Sequence, residues 1–191
     1  MISEQDKTEI TKWVIHNSNV RRLDWIDVND QGVVDIKTSI EISNARFTTL
    51  PVKFGHVLGT FDVRHEGLTS LENCPHLVLS GFLASDNPIT SLVGGPQRVG
   101  GGYNVLHTKL QTLEGLPQDV NSVLWLPWNP HMGYLRCCLV NVPLIAIQDD
   151  RNIRQEAIME IINKYVGKGW AAMVPCAREL IRAGFRENAK L

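Results

Sequence analysis

The groups in this sequence that chemistry could use are six histidines, four cysteines, a glycine-rich run and a pair of adjacent acids. The histidines are His16, His56, His65, His76, His107 and His131. A metal site needs three or four ligands converging within about 2–2.3 Å of one ion. His65 and His107 are the pair with a meaningful spacing, 42 residues. If that is two periods of a repeat, they stand two strand spacings apart, about 9.5 Å, too far to share an ion. Cys137-Cys138 could sense redox state. No Cys-x-x-Cys or Lys-rich helix start surrounds the pair, and Leu139-Val140 follow directly, so packing thiols are expected. Gly94 to Gly102 would cradle phosphate only between a strand and a helix N-terminus. Asp149-Asp150 sit where acids complement a helix dipole. There is no serine-nucleophile motif, zinc-protease helix or Walker loop in the chain. The expectation is a non-enzyme with no catalytic residue, no metal and no cofactor.

Composition narrows the class. The 191 residues carry 19 Lys plus Arg against 20 Asp plus Glu, a net charge of −1. A generic polyanion binder would carry a basic excess. The 43% apolar and 20% charged content is that of a folded globular chain. The longest apolar run, 139–147, is broken by Asn141 and Pro143, so no membrane span or membrane partner is expected. The polar N-terminus does not read as a secretory signal. Cys74, Cys137, Cys138 and Cys176 show neither a disulfide framework nor zinc spacing, which reads as a reduced, intracellular chain.

The elements that must position these groups come from a repeat. Leu68-Thr-Ser-Leu71, Ile89-Thr-Ser-Leu92 and Leu110-Gln-Thr-Leu113 step by 21 residues, and Phe47-Thr-Thr-Leu50 precedes them. Ile40, Phe61, Phe82, Tyr103 and Leu124 share one register; Ile42, Val63, Ala84, Val105 and Leu126 share another; Val78, Val99 and Val120 close each unit. Alternation at 59–64 is strand chemistry. Turn residues follow at 66–67, 86–88 and 108–109, then an apolar return, then a Pro-marked bend. One unit cannot bury its apolar side alone. Stacked units pair into a parallel sheet and build a continuous core ladder.

The Leu-x-x-Leu core at a 21-residue period is similar to a leucine-rich repeat. More narrowly, the Gly-x-Phe-x-Val…Leu-Thr-Ser-Leu-x-x-x-Pro unit resembles leucine-rich-repeat-like proteins encoded by tailed bacteriophages. The segments 24–36 with 50–55, and 176–189, share in the resemblance, which spans about residues 24 to 191. The turn position that carries an inward Asn in leucine-rich repeats holds Glu66, Asn87 and Thr108 here, a departure from that pattern. The resemblance implies the fold and a viral origin and supplies no reaction.

The fold expected is therefore an α+β repeat solenoid, a leucine-rich-repeat-like stack of about five 21-residue units. Residues 1–36 form an N-terminal helix and hairpin cap, 37–140 the solenoid, and 141–191 a C-terminal two-helix cap. Ser3 with Asp6 starts a helix over about 4–15, with Ile10, Trp13 and Val14 on its apolar face. Strands 25–28 and 33–36 flank a turn at 29–32. Asp149 or Asn152 caps a helix carrying Ile153, Ala157, Ile158, Ile161, Ile162 and Tyr165, which Gly167-Lys168-Gly169 ends. Pro175 starts the last helix.

If Phe61 and Val63 face inward, three ladders face solvent: Ser39, Thr60, Gly81, Gly102, Val123; Glu41, Asp62, Leu83, Asn104, Trp125; and Ser43, Arg64, Ser85, Leu106, Pro127. The early rungs are polar. The later ones put Leu83, Leu106, Val123 and Trp125 outward beside Trp128, a patch that the tail or a partner must cover. The candidate partner-binding residues are Asp62, Arg64, Leu83, Ser85, Asn104, Leu106, Val123 and Trp125, with the turn row 64–66, 86–87 and 107–109 as a second polar candidate. The expected partner is a protein or protein complex. The phage resemblance implies a host enzyme or immune factor, bound and inhibited or redirected in the host bacterial cytoplasm. Two other classes stay open. One is a nucleic-acid binder using Arg21, Arg22, Lys37, Arg46, Lys53 and Arg64. The other is a self-assembling structural protein.

Overall fold

The fold is seen in a computed structural model, which describes residues 1–43, 46–148 and 154–191. In chain order the elements are α1 (Glu4–Asn17), β1 (Ile26–Val28), β2 (Val34–Ile36), β3 (Ile40–Glu41), β4 (Phe54–Val57), β5 (Phe61–Asp62), β6 (Leu77–Val78), β7 (Phe82–Leu83), β8 (Arg98–Val99), β9 (Tyr103–Asn104), β10 (Asp119–Val120), β11 (Val123–Pro127), β12 (Leu144–Gln148), α2 (Arg154–Tyr165) and α3 (Trp170–Arg182). The repeats form a parallel β-solenoid. Its rungs pair residues 21 apart, as in Phe61 with Phe82, Phe82 with Tyr103 and Tyr103 with Leu124.

Each coil carries two short strands, so two sheets form where one was expected. The first runs β1-β2-β4-β6-β8-β10 and the second β3-β5-β7-β9-β11-β12. The valines that close each unit are the inward row of the first sheet, Val57, Val78, Val99 and Val120. They are at most 2% exposed. Between the sheets lies an aromatic ladder. Phe54 meets Phe61 edge-on at 5.2 Å, Phe61 lies parallel to Phe82 at 6.1 Å, and Phe82 packs on Tyr103 at 4.8 Å. Each fully buried side chain of this size stabilises the stack by about 1.5–3 kcal/mol.

The second sheet continues to Gln148, beyond the boundary expected at 140. Its last rung keeps the 21-residue step, with Leu124 beside Ile145 and Leu126 beside Ile147. The first sheet also extends by a single bridge from Asp119 to Asn141.

Both ends of the second sheet are closed by backbone mimicry, which blunts an otherwise sticky edge. At the N-terminal end, Asn19 N–H donates to Glu41 O at 3.1 Å and Glu41 N–H donates to Asn19 Oδ1 at 2.9 Å. At the C-terminal end the Asn163 amide on α2 does the work of a strand: it accepts from Ile145 N at 2.8 Å and donates to Ile145 O at 2.9 Å. Ile158, Ile161 and Ile162 bury α2, whereas Ala157 faces solvent.

The N-terminal cap forms as its sequence requires. Ser3 Oγ accepts from Asp6 N and Asp6 Oδ2 accepts from Ser3 N, a capping box. Val14 is buried and Trp13 packs on Phe47 at 5.7 Å. β1 and β2 form the expected hairpin, with Asn29 Oδ1 accepting from Gln31 N and Val33 N and Gly32 in the left-handed region.

The tail departs from expectation at Pro175, which lies inside α3 instead of starting it. The helix tolerates one missing N–H bond because Ala172, Met173, Cys176 and Leu180 bury its inner face. The expected caps Asp149 and Asn152, and Ile153, lie outside the described residues.

Candidate recognition surface

Alternation predicts three outward ladders on the second sheet, and the structure leaves two. The strands β5, β7 and β9 are two residues long, so the chain is already turning at the third position. Asp62 and Asn104 make that turn: Arg64 N donates to Asp62 Oδ1 at 3.1 Å and Leu106 N donates to Asn104 Oδ1 at 3.0 Å. The consequence is burial. Ser85 is 5% exposed and Leu106 8%. Both were expected outward. Ser85 Oγ donates to Asp86 Oδ2.

The remaining candidates also have local employment. The Arg64 guanidinium chelates Asp62, with Nη2 to Oδ2 at 2.7 Å, and this pairing raises the arginine pKa. Leu83 is half-buried, with Cδ2 3.8 Å from where a Cβ on Gly81 would stand. Trp125 lies over Gly102 of the preceding rung, where a Cβ would sit 2.4 Å from its Cζ3. Val123 is half-buried, and Trp128 stacks on Tyr134 at 6.0 Å. Among the second reading's basic residues, Arg22 pairs with Asp24 and Arg21 donates to Ile15 O at 2.9 Å.

The glycine-rich run is explained by rung packing. Gly94 has a φ of 88°, and a Cβ there would meet the Glu72 backbone at 2.9 Å; one on Gly100 would meet Leu79 O at 2.2 Å. The turn row has its own logic. His65, Asp86 and His107 repeat a left-handed conformation every 21 residues, with φ of 63°, 60° and 54°. His65 Nε2 lies 3.8 Å from Asp86 Oδ2 on the next rung. Among the described residues no group of three His, Cys, Asp or Glu is placed to hold a metal.

Sequence reasoning missed the first sheet's outer face. There Leu58 is 52% exposed and Leu79 51%, with Leu77 half-buried beside them. Two hollows of 280 Å³ and 270 Å³ flank this ridge. Polar pairs mark the two sides, Asp35 with His56 at 3.4 Å and Arg98 with Asp119 at 3.5 Å. The signal was available: Leu58 and Leu79 are themselves 21 apart.

Tyr103 ends the aromatic ladder with a fully buried hydroxyl that has no hydrogen-bond partner among the described residues. Burial raises its pKa. Gly95 gives the oxygen its room, since a Cβ there would stand 2.8 Å away. Tyr103→Phe is expected to stabilise the fold by about 1–2 kcal/mol in urea denaturation, because the desolvated hydroxyl gains nothing in return. A loss of stability would show that the hydroxyl has a partner.

No described helix is long and apolar enough to cross a membrane. Comparison with protein-family models, curated proteins and solved structures gave no match for this chain.

Proposed function

We propose that this chain is a non-catalytic recognition protein that binds one partner protein stoichiometrically through a sheet face of its solenoid. The observation that carries the reading is the Leu58–Leu77–Leu79 ridge, apolar, rigidly held at rung spacing and rimmed by polar pairs. An exposed apolar patch with a polar rim is the composition of an interface core. The second sheet's Leu83, Val123 and Trp125 offer the other candidate face. The resemblance to phage leucine-rich-repeat-like proteins supports a host enzyme or immune factor as the partner, met in the host cytoplasm and blocked by occupancy.

The test is capture from host lysate followed by titration of the purified partner. Leu58→Asp/Leu79→Asp is compared with Leu83→Asp/Trp125→Ala, each confirmed folded by circular dichroism. A one-to-one complex weakened at least about tenfold by the first pair supports the reading on the first sheet, since two hot-spot losses of this kind exceed 1.4 kcal/mol. The same loss in the second pair moves the site to the other face. Nuclease-sensitive recovery of nucleic acid, with no protein partner, overturns it.

A further inference from the structure

The charges around the first sheet's leucine ridge are ordered along the stack. One outward row crosses the sheet as Asp27, Asp35, His56, Leu77, Arg98 and Asp119, each on the next strand. A second row sets Leu58 beside Leu79 and Leu79 beside Gly100. The first row is acidic at its N-terminal end, apolar in the middle and basic beyond it at Arg98. A copy turned about a two-fold axis along the strands, between Leu58 and Leu79, meets this face in reverse order. Leu58 then faces Leu79 of the second copy, His56 faces Leu77, and Asp35 faces Arg98, each contact made twice. A copy stacked in the same order would put Asp35 on Asp35 and Arg98 on Arg98, which like charges disfavour.

Both charged groups have capacity left. Asp35 accepts from His56 N through Oδ1 at 2.7 Å, and Arg98 approaches its own Asp119 only through Nε at 3.5 Å. At the outer limit Asp27 falls opposite Asp119, a like-charged pair. Asp119 there already holds Asn141 Nδ2 at 3.0 Å besides Arg98, and salt screens charges at a rim.

We propose that the free chain pairs with a second copy of itself through this ridge, in reversed order, and so keeps its recognition face covered until a partner displaces the copy. The inference rests on the reading of the ridge given above and adds its regulation. The strands β4, β6, β8 and β10 are two to four residues long, so the shared face is narrow. It belongs to the transient class that buries less than about 1,200 Å², with a Kd on the order of 10–100 μM. Sheets packed face to face stand about 10 Å apart, within reach of an Arg–Asp pair.

The test follows the purified full chain by sedimentation velocity from about 1 to about 500 μM, a range that brackets such a Kd. Monomer at the low end and dimer at the high end are expected, with nothing larger, because a two-fold contact closes on itself. Arg98→Asp and Leu79→Asp, both at exposed side chains, each weaken association at least about tenfold. In Asp35→Arg/Arg98→Asp the two charges trade places, and the dimer returns to within about threefold of wild type. Should that variant fail to fold, Leu58→Cys chains mixed with Leu79→Cys chains and oxidised with diamide read the same register. The expected link joins position 58 of one chain to position 79 of the other, the four native thiols being buried. A monomer at every concentration, growth beyond a dimer, or a folded charge-exchanged chain that stays monomeric overturns self-pairing. Failure to capture any partner protein overturns the recognition reading instead, so the two are told apart.

Discussion

Asn87→Ala is expected to cost about 3 kcal/mol of stability and to lower the melting temperature by roughly 6–12 °C. Asn87 is 1% exposed. Its Oδ1 accepts from Leu68 N of the preceding coil at 3.0 Å. Its Nδ2 lies 2.8 Å from Val63 O, 3.1 Å from Ala84 O and 3.2 Å from Ser85 O, so two hydrogens are shared among three carbonyls. One side chain thus satisfies the turn of its own coil and stitches it to the coil before. Alanine leaves a buried amide and several carbonyls without partners, at about 1–3 kcal/mol for each group that stays dry. The equivalent turn two coils on makes a graded control. Asn129 is only half-buried and donates to Leu110 O at 3.0 Å, so Asn129→Ala is expected to cost about 1 kcal/mol. Thermal melts followed by circular dichroism measure both. A loss below about 0.5 kcal/mol for Asn87→Ala would show that the ladder is not what holds these turns.

Gly115→Ala is expected to be as damaging, and Gly67→Ala shows why. Both glycines are left-handed, with φ of 84° and 81°. An alanine at either position takes on the left-handed penalty of about 1–2 kcal/mol. Only Gly115 adds a collision. A Cβ there would stand 2.3 Å from Val93 N and 2.4 Å from Leu92 C, whereas at Gly67 nothing lies within 4 Å. The obstacle is backbone of the adjacent coil, which cannot rotate aside, so the coils must part locally. The overpacking adds about 1–3 kcal/mol. Urea denaturation of the two variants separates the contributions: Gly115→Ala should be the less stable by about 2 kcal/mol. Equal losses would mean that backbone conformation alone decides and that the coils have slack.

These positions also mark how far the sequence could be read. Phe61, Phe82 and Tyr103 announce their register because each coil repeats one backbone path. The 21-residue step was therefore enough to place the inward rows of the solenoid, while the Ser3–Asp6 helix start and the turn at 29–32 marked the N-terminal helix and hairpin. The last rung was legible too, in the step from Leu124 to Ile145 and from Leu126 to Ile147. It was obscured because Tyr134, not a leucine, occupies the next core position after Leu113. The first sheet's leucine ridge was missed for a related reason: attention to one strand per coil hid the second.

Other features are not written in the repeat at all. Alternation cannot tell that the third outward position of each coil falls where the chain turns, and that is what buries Ser85 and Leu106. Nothing in the periodicity marks Asn163 as the stand-in strand for Ile145. A repeat constrains each residue through identical neighbours one coil away, so its inward rows follow from spacing alone. The caps and the tail have no such copy. Their contacts depend on side-chain shape and on how a non-repeating segment folds back on the stack, and only the tertiary structure decides that.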